Sequence, residues 1–318
     1  MPPVRIAVIG AGSFGRNHLR VLRQLPGAEL IGVIDINKDR AAAASAEFGC
    51  PIVQGPDDLP GRADAAVVAT PTTTHADIGC ALLEAGIDLL MEKPLAHTLN
   101  EGQRLVDTAR RAGRILQTGH LERFNPAIQA LRRIITVPLF FEIHRMSVFS
   151  PRSLDVDVLL DLMIHDIEIV LDLVGRKPTE IRAAGLPVLS DKVDIASVRL
   201  AFDTGCIANL TASRVSTERI RKLRLFQPSQ YISLDYQRQE AITFTVSPNR
   251  EVAAAALAVE KGEPLRLELE AFVNSVATRS EPLVTGEDGL AALDVCLEIL
   301  AKIEEHTAQI AQQLQVIR

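Results

Sequence analysis

Three short groupings in the sequence combine residue types that can do chemistry. Glu92-Lys93-Pro94 closes an apolar run. A lysine at a strand end offers a mobile cation to an alcohol oxygen as hydride departs from carbon, and the proline holds it in an extended, directed backbone. Asp161 and His165 stand four residues apart in a helical pattern. A carboxylate one turn from an imidazole holds its tautomer and stabilises the imidazolium. Gly10-Ala11-Gly12-Ser13-Phe14-Gly15 has the spacing of a turn that cradles a pyrophosphate. There Gly10 permits the tight turn, Gly12 lets backbone approach the phosphates, and Gly15 lets helix and strand pack closely.

The elements that must position these groups alternate. Val4–Ile9 is a buried-type strand that leads into the glycine turn, and a helix follows with Phe14, His18, Val21, Leu22 and Leu25 at helical spacing. A second strand, Leu30–Ile34, ends at Asp35, twenty residues past Gly15. Asp35 is placed to accept both hydroxyls of an adenosine ribose and to repel the extra phosphate of NADP. Ile36-Asn37 offers no arginine to that phosphate, although Lys38 and Arg40 are near, so NAD is the expected cofactor. A helix over 38–48, a strand over 65–69, a helix after His75, a strand over 89–91, a helix over 100–112 and a strand over 115–118 continue the pattern. Such alternation predicts an α/β Rossmann fold, a doubly wound parallel sheet occupying residues 1–119. Strand ends are where ligands bind in that fold, which directs Thr70, Glu92 and Lys93 toward the cofactor.

Residues 120–318 read differently. Residues 119–126 form a crossover loop, with Pro126 in the first turn of a helix to about residue 135. A strand over 139–148, a polar loop or flap at 150–153 and a helix over 156–174 come next. On that helix Asp161, His165, Glu168 and Asp172 share one face. Strands over 195–202, 206–212, 223–226, 231–234 and 241–246 follow, the first two joined by the turn Asp203-Thr204-Gly205. Helices near 267–279 and 289–305 complete an α+β domain with an open, mainly antiparallel sheet.

At 318 residues and 47% apolar the chain can bury two cores. The net charge of −6 argues against nucleic acid as the main partner. Four dispersed cysteines without a C-x-x-C pair predict no metal site or disulfide framework and a reducing cytoplasm. No apolar run reaches membrane-spanning length, and no secretory signal pattern is present at the N-terminus.

Taken together, Met91-Glu92-Lys93-Pro94, Thr70-Pro71 with His75, and Asp161 with His165 resemble the Gfo/Idh/MocA family of oxidoreductases over essentially the whole chain. The resemblance implies NAD held by Gly10, Gly12, Ser13, Phe14, Gly15, Asp35, Thr70, Pro71, His75, Glu92 and Lys93. It implies His165 taking a hydroxyl proton, Asp161 orienting it and Lys93 stabilising the alkoxide; which of Lys93 and His165 is the base stays open. It also implies a homodimer or homotetramer formed through the far face of the second sheet. His18 is read as helix packing near the cofactor. Residues 119–126, 153–157 and 160–166 look like the sugar-nucleotide branch. That branch implies oxidation of the 3-hydroxyl of UDP-N-acetylglucosamine to a ketone for later amination, toward the diamino sugars of lipid A. Arg123, Arg145 and Arg152 are candidates for a UDP-sugar diphosphate, Asn125 for an amide or uracil edge, and His144 or Glu168 for ring hydroxyls. The competing reading has Arg123 and Asn125 pinning the crossover loop and capping the helix at Pro126. Rival functions are a dehydrogenase of a free polyol such as inositol, a reductase of another carbonyl compound, an NAD-using glycosidase and a non-catalytic dinucleotide-binding regulator.

Overall fold

Val4–Ile9 (β1) is buried at every position but Arg5, because strands flank it on both sides. The computed structural model describes residues 2–149 and 156–316. The chain divides into two compact units. In the first, β1 is joined by α1 (Ser13–Leu22), β2 (Ala28–Ile34), α2 (Lys38–Phe48), β3 (Ala65–Val68), α3 (His75–Glu84), β4 (Asp88–Glu92), α4 (Leu99–Ala112) and β5 (Leu116–Gly119). The sheet is parallel, in the order β2-β1-β3-β4-β5. Strand order reverses direction between β1 and β3, which opens a crevice outside their carboxyl ends.

Local chemistry sets the helix starts. Asn37 caps α2 by accepting from the Asp39 and Arg40 amides, and Thr98 with Glu101 forms a capping box at α4. Phe14, expected on the packed stripe of α1, is 55% exposed. It stands in the first turn, before the helix has settled onto the sheet.

The second unit begins at Asn125. It contains α5 (Pro126–Arg132), β6 (Phe140–Val148), α6 (Ile164–Val174), β7 (Glu180–Leu186), β8 (Ile195–Ala201), β9 (Ile207–Ser216), β10 (Ile220–Gln227), β11 (Gln230–Asp235), β12 (Glu240–Val246) and β13 (Val252–Ala256). These strands form one sheet, in the order β13-β12-β11-β10-β6-β9-β8-β7. Every pair is antiparallel except β6 with β9. Phe141, Ile143, Leu210, Leu223 and Leu225 point to one face and share a core with Ile128 of α5 and Ile164, Ile167 and Val170 of α6. The other face carries an aromatic ladder: Phe140–Phe226, Phe226–Tyr231 and Tyr231–Phe244, with centroids 5.8, 4.8 and 5.4 Å apart.

The domain limits expected from sequence, 1–119 and 120–318, need correction. The chain returns to the first unit over Gly262–Leu290, where α7 (Pro264–Thr278) places Leu269, Phe272, Val273 and Val276 in a core with Val4, Ile6 and Val8. The final helix, α8 (Gly286–Val316), belongs to the second unit from Ala291 onward. Spacing along a chain shows which face of α7 is apolar and cannot show which sheet will cover it.

Candidate functional site

The glycine turn fits a dinucleotide for separate reasons at each position. Gly10 has φ +99°, and a Cβ there would lie 2.4 Å from the Ala69 carbonyl oxygen. A Cβ on Gly15 would lie 1.7 Å from the carbonyl oxygen of Gly10. Both glycines are demanded by the protein itself. Gly12 is different, since a Cβ there meets nothing within 4 Å. It sits at the N-cap of α1, where free amides and the helix dipole favour phosphate, so its bare Cα leaves room for a ligand. Asp35 Oδ2 accepts from the Ala11 amide at 2.7 Å and Oδ1 from the Asn37 amide at 2.8 Å. The carboxylate thus ties the glycine turn to the end of β2, and each oxygen keeps a further lone pair for a hydroxyl.

The turn that carries Lys93 is held from two sides by buried histidines. His18 of α1 meets Glu92 Oε1 at 2.6 Å, and Glu92 Oε2 accepts from the Lys93 amide at 3.2 Å. Burial works to raise the Glu92 pKa, but the His18 hydrogen bond and the charges of His18 and Lys93 bring it below the ordinary value. His75, at the start of α3, places Nε2 3.0 Å from Thr70 O and Nδ1 3.1 Å from Pro94 O and 3.3 Å from Leu95 O. Burial lowers its pKa against the pull of these carbonyls and of Glu92. The neutral ring prevails at pH 7 and donates toward one side only. Thr70 accepts from the Thr74 hydroxyl at 2.8 Å, while Pro71 is exposed. Helix packing thus describes only part of His18, which also orients the carboxylate preceding Lys93.

His120 and Glu268 carried no signal in the sequence. His120 is pushed down to about 3 by burial and by the charges of Lys93 and Arg123, so it is neutral at pH 7. Glu268 of α7 is 1% exposed. Burial, and then the charge of Glu92, raises its pKa well above the ordinary value. The folded chain keeps a proton that the unfolded chain gives up above about pH 4.3. Stability should therefore fall as pH rises from there toward the folded-state pKa. Glu268→Gln, which mimics the protonated form, should melt above the parent at pH 8, by about 2–4 °C for each kcal/mol recovered. The gap should close near pH 4. Equal melting of the two proteins at both pH values would mean that Glu268 is ionised when folded.

In the second unit, the helix over 156–174 starts differently from the expectation. Leu159–Met163 is a single π turn, closed by the Ile164 amide on Leu159 O, and runs directly into α6. One extra residue per turn changes how Asp161 is aimed relative to His165, both of which are half-buried. Such turns within helices are frequent at functional sites. The four-residue polar face is not a wet surface. Glu168 is 2% exposed, so it is no open carboxylate, and Asp172 pairs with Arg132 at 3.0 Å.

Several expected substrate contacts are committed elsewhere. Arg145 is buried in a two-pronged pair with Asp166, at 2.7 Å for each bond, and lies 5.1 Å from the Tyr236 ring centroid. At 2% exposure and paired two-pronged with Asp166, Arg145 is enclosed within the unit rather than open to a diphosphate. His144 pairs with Glu142 at 3.2 Å on the sheet face opposite α6, beside a cavity of about 730 Å³ also lined by Phe140, Arg182, Arg199 and Asn209. It is therefore set apart from Asp161 and His165. Asn125 caps α5 through the Ala127 amide at 3.1 Å and donates to Tyr236 O at 3.0 Å, the structural alternative for this residue. Arg123 is 3% exposed and donates to Leu283 O at 3.4 Å. Arg152 and the loop at 150–153 lie outside the described residues. Among the described residues, no cluster of His, Cys, Asp or Glu is placed to hold a metal, and no helix is long and apolar enough to cross a membrane.

A family model described as an oxidoreductase family with an NAD-binding Rossmann fold matches residues 4–120. The model of the GFO/IDH/MocA C-terminal domain matches residues 140–226. UDP-N-acetylglucosamine 3-dehydrogenase of Acidithiobacillus ferrooxidans is 34% identical over 95% of this chain and 97% of that protein. A solved structure of the same enzyme aligns with a TM-score of 0.91 at 35% identity, covering 96% of this chain and 99% of that one. Myo-inositol 2-dehydrogenase of Thermotoga maritima is 26% identical over 91% of this chain and 93% of that protein.

Proposed function

Because the chain belongs to the Gfo/Idh/MocA oxidoreductase family, whose first domain binds NAD, we propose that it oxidises the 3-hydroxyl of UDP-N-acetylglucosamine to the 3-keto sugar. The observation that carries this reading is the likeness, over nearly the full length of both chains, to an enzyme of that activity. Relatives named for inositol that match over nine-tenths of this chain are 26–28% identical. NAD, when bound, accepts a hydride from the carbon being oxidised. The glycine turn and the first amides of α1 hold the pyrophosphate, and Asp35 holds the adenosine ribose. His165 takes the hydroxyl proton, Asp161 fixes the tautomer of His165, and Lys93 steadies the negative charge that grows on oxygen. Lys93 and His165 remain alternative bases that can share the proton.

The cellular setting follows from the same reading. A 3-keto sugar nucleotide is a substrate for an aminotransferase, which leads to the diamino sugars of lipid A. Four dispersed cysteines support a reducing cytoplasm. A second copy of the chain is the proposed partner of the open sheet face, where the aromatic ladder leaves Phe226 39% exposed. Tyr231→Glu should then sediment as a smaller species than the parent, and an unchanged size would remove that face from the reading.

The substrate is tested by NADH formation with UDP-N-acetylglucosamine beside free N-acetylglucosamine, inositol and glucose. Oxidation of the UDP-sugar alone is expected. Equal oxidation of the free sugars, or no response to any UDP-sugar, would refute the substrate while leaving the family intact.

A further inference from the structure

Arg214 of β9 is buried and spends its guanidinium on two segments, the loop at 190–194 and the turn that begins at Val156. Nε donates to Asp194 Oδ1 at 2.6 Å, Nη2 to the Ser190 hydroxyl at 2.9 Å and Nη1 to Val156 O at 2.6 Å. Val156 begins the turn that leads to Asp161. The same turn is fastened twice more, by the Val158 amide on Val193 O at 2.9 Å and by the Val193 amide on Asp157 Oδ1 at 2.9 Å. The Asp161 amide in turn donates to Asp157 O at 3.0 Å. Asp194 organises the other half, since its Oδ2 accepts from the amides of Val188, Leu189 and Ser190. The backbones of Asp194 and Arg214 are also joined, the Arg214 amide donating to Asp194 O at 3.0 Å.

A buried ion pair is a poor device for stability, because apolar residues of similar volume often hold a fold as well. Its fixed geometry is what apolar packing cannot supply. Beyond the π turn, the buried pair of Arg145 with Asp166 ties α6 to β6. The π turn that aims Asp161 is therefore bracketed by two buried arginine–aspartate pairs, one fastening residue 156 and the other residue 166.

We propose that Arg214 and Asp194 are positioning residues that hold the 156–161 turn in the register in which Asp161 and His165 act. The proposal rests on the catalytic reading of Asp161 and His165. An arginine is required because three donors in one plane reach three acceptors in two segments at once, whereas a lysine ammonium would serve one of them well.

The test uses the full-length protein with NAD and UDP-N-acetylglucosamine. Arg214→Met with Asp194→Leu removes both charges together, which avoids stranding one of them, and Arg214→Lys provides a second variant that keeps the charge. Amide exchange at Val158 and Asp161, kcat, and the KM for NAD are read on each. Both variants should exchange faster at these amides and lose kcat, by about 100-fold for the double variant and less for lysine, with the KM for NAD unchanged. Unaltered exchange, or a loss confined to the NAD KM, would overturn the positioning role. Faster exchange with parental kcat would overturn the catalytic reading of Asp161 and His165, and the proposal with it. Should the double variant fail to fold, the lysine variant decides by the same readings.

Discussion

His165→Ala and Lys93→Ala should each lower kcat by about 10²–10⁴ while leaving NAD bound. On the proposed reading the glycine turn and Asp35 supply most of the hold on NAD, and neither substitution touches them. The residue that serves as base must lose its proton before it can act, so kcat/KM rises with pH through its pKa. Removing the base should flatten that limb of the pH profile, whereas removing a group that only steadies charge should lower the whole profile and keep its shape. The pair of variants therefore separates the two roles as well as testing them. Near-parental turnover in both, with NAD still bound, would mean that the proton leaves by another route.

Gly12→Ala and Gly15→Ala should fail in different ways. An added methyl at Gly15 meets the Gly10 carbonyl oxygen at 1.7 Å, a contact that only backbone movement can relieve. That variant should lose NAD binding and melt well below the parent even without ligand. An added methyl at Gly12 meets no protein atom within 4 Å, so the ligand-free protein should melt as the parent does. On the proposed reading the methyl fills space that the pyrophosphate needs, and the rise in melting temperature that NAD gives the parent should disappear. At a ligand concentration 100 times Kd that rise reflects about 2.7 kcal/mol, which makes its loss easy to read. Retained NAD stabilisation in Gly12→Ala would place the pyrophosphate elsewhere.

The sequence by itself determined the parallel α/β unit, because β-branched strands, helical periodicity and the glycine turn all operate over short distances. The limits of α2 at Lys38 and Phe48 were legible to the residue, since Asn37 and Gly49 punctuate both ends locally. Two strands were not legible. β7 begins with the charged Glu180 and Arg182 of an edge strand, and β13 is an alanine run with little strand preference of its own. Pairing with β8 and β12, respectively, supplies what their composition lacks.

The motifs of the candidate site were legible as well, and their surroundings were not. Glu92-Lys93-Pro94 and Asp161 with His165 stand out because their residues are near in the chain. Only tertiary structure decided that His18 and His75 pin the lysine turn, that Glu268 is enclosed near Glu92, and that a π turn lies beneath Asp161. It also decided against Arg145, which β6 buries in a two-pronged pair with Asp166 of α6. Charge type can be read from a sequence, but a guanidinium is available to a ligand only if no carboxylate distant in the chain already holds it. That depends on which elements pack face to face, and such contacts leave no local pattern in the sequence.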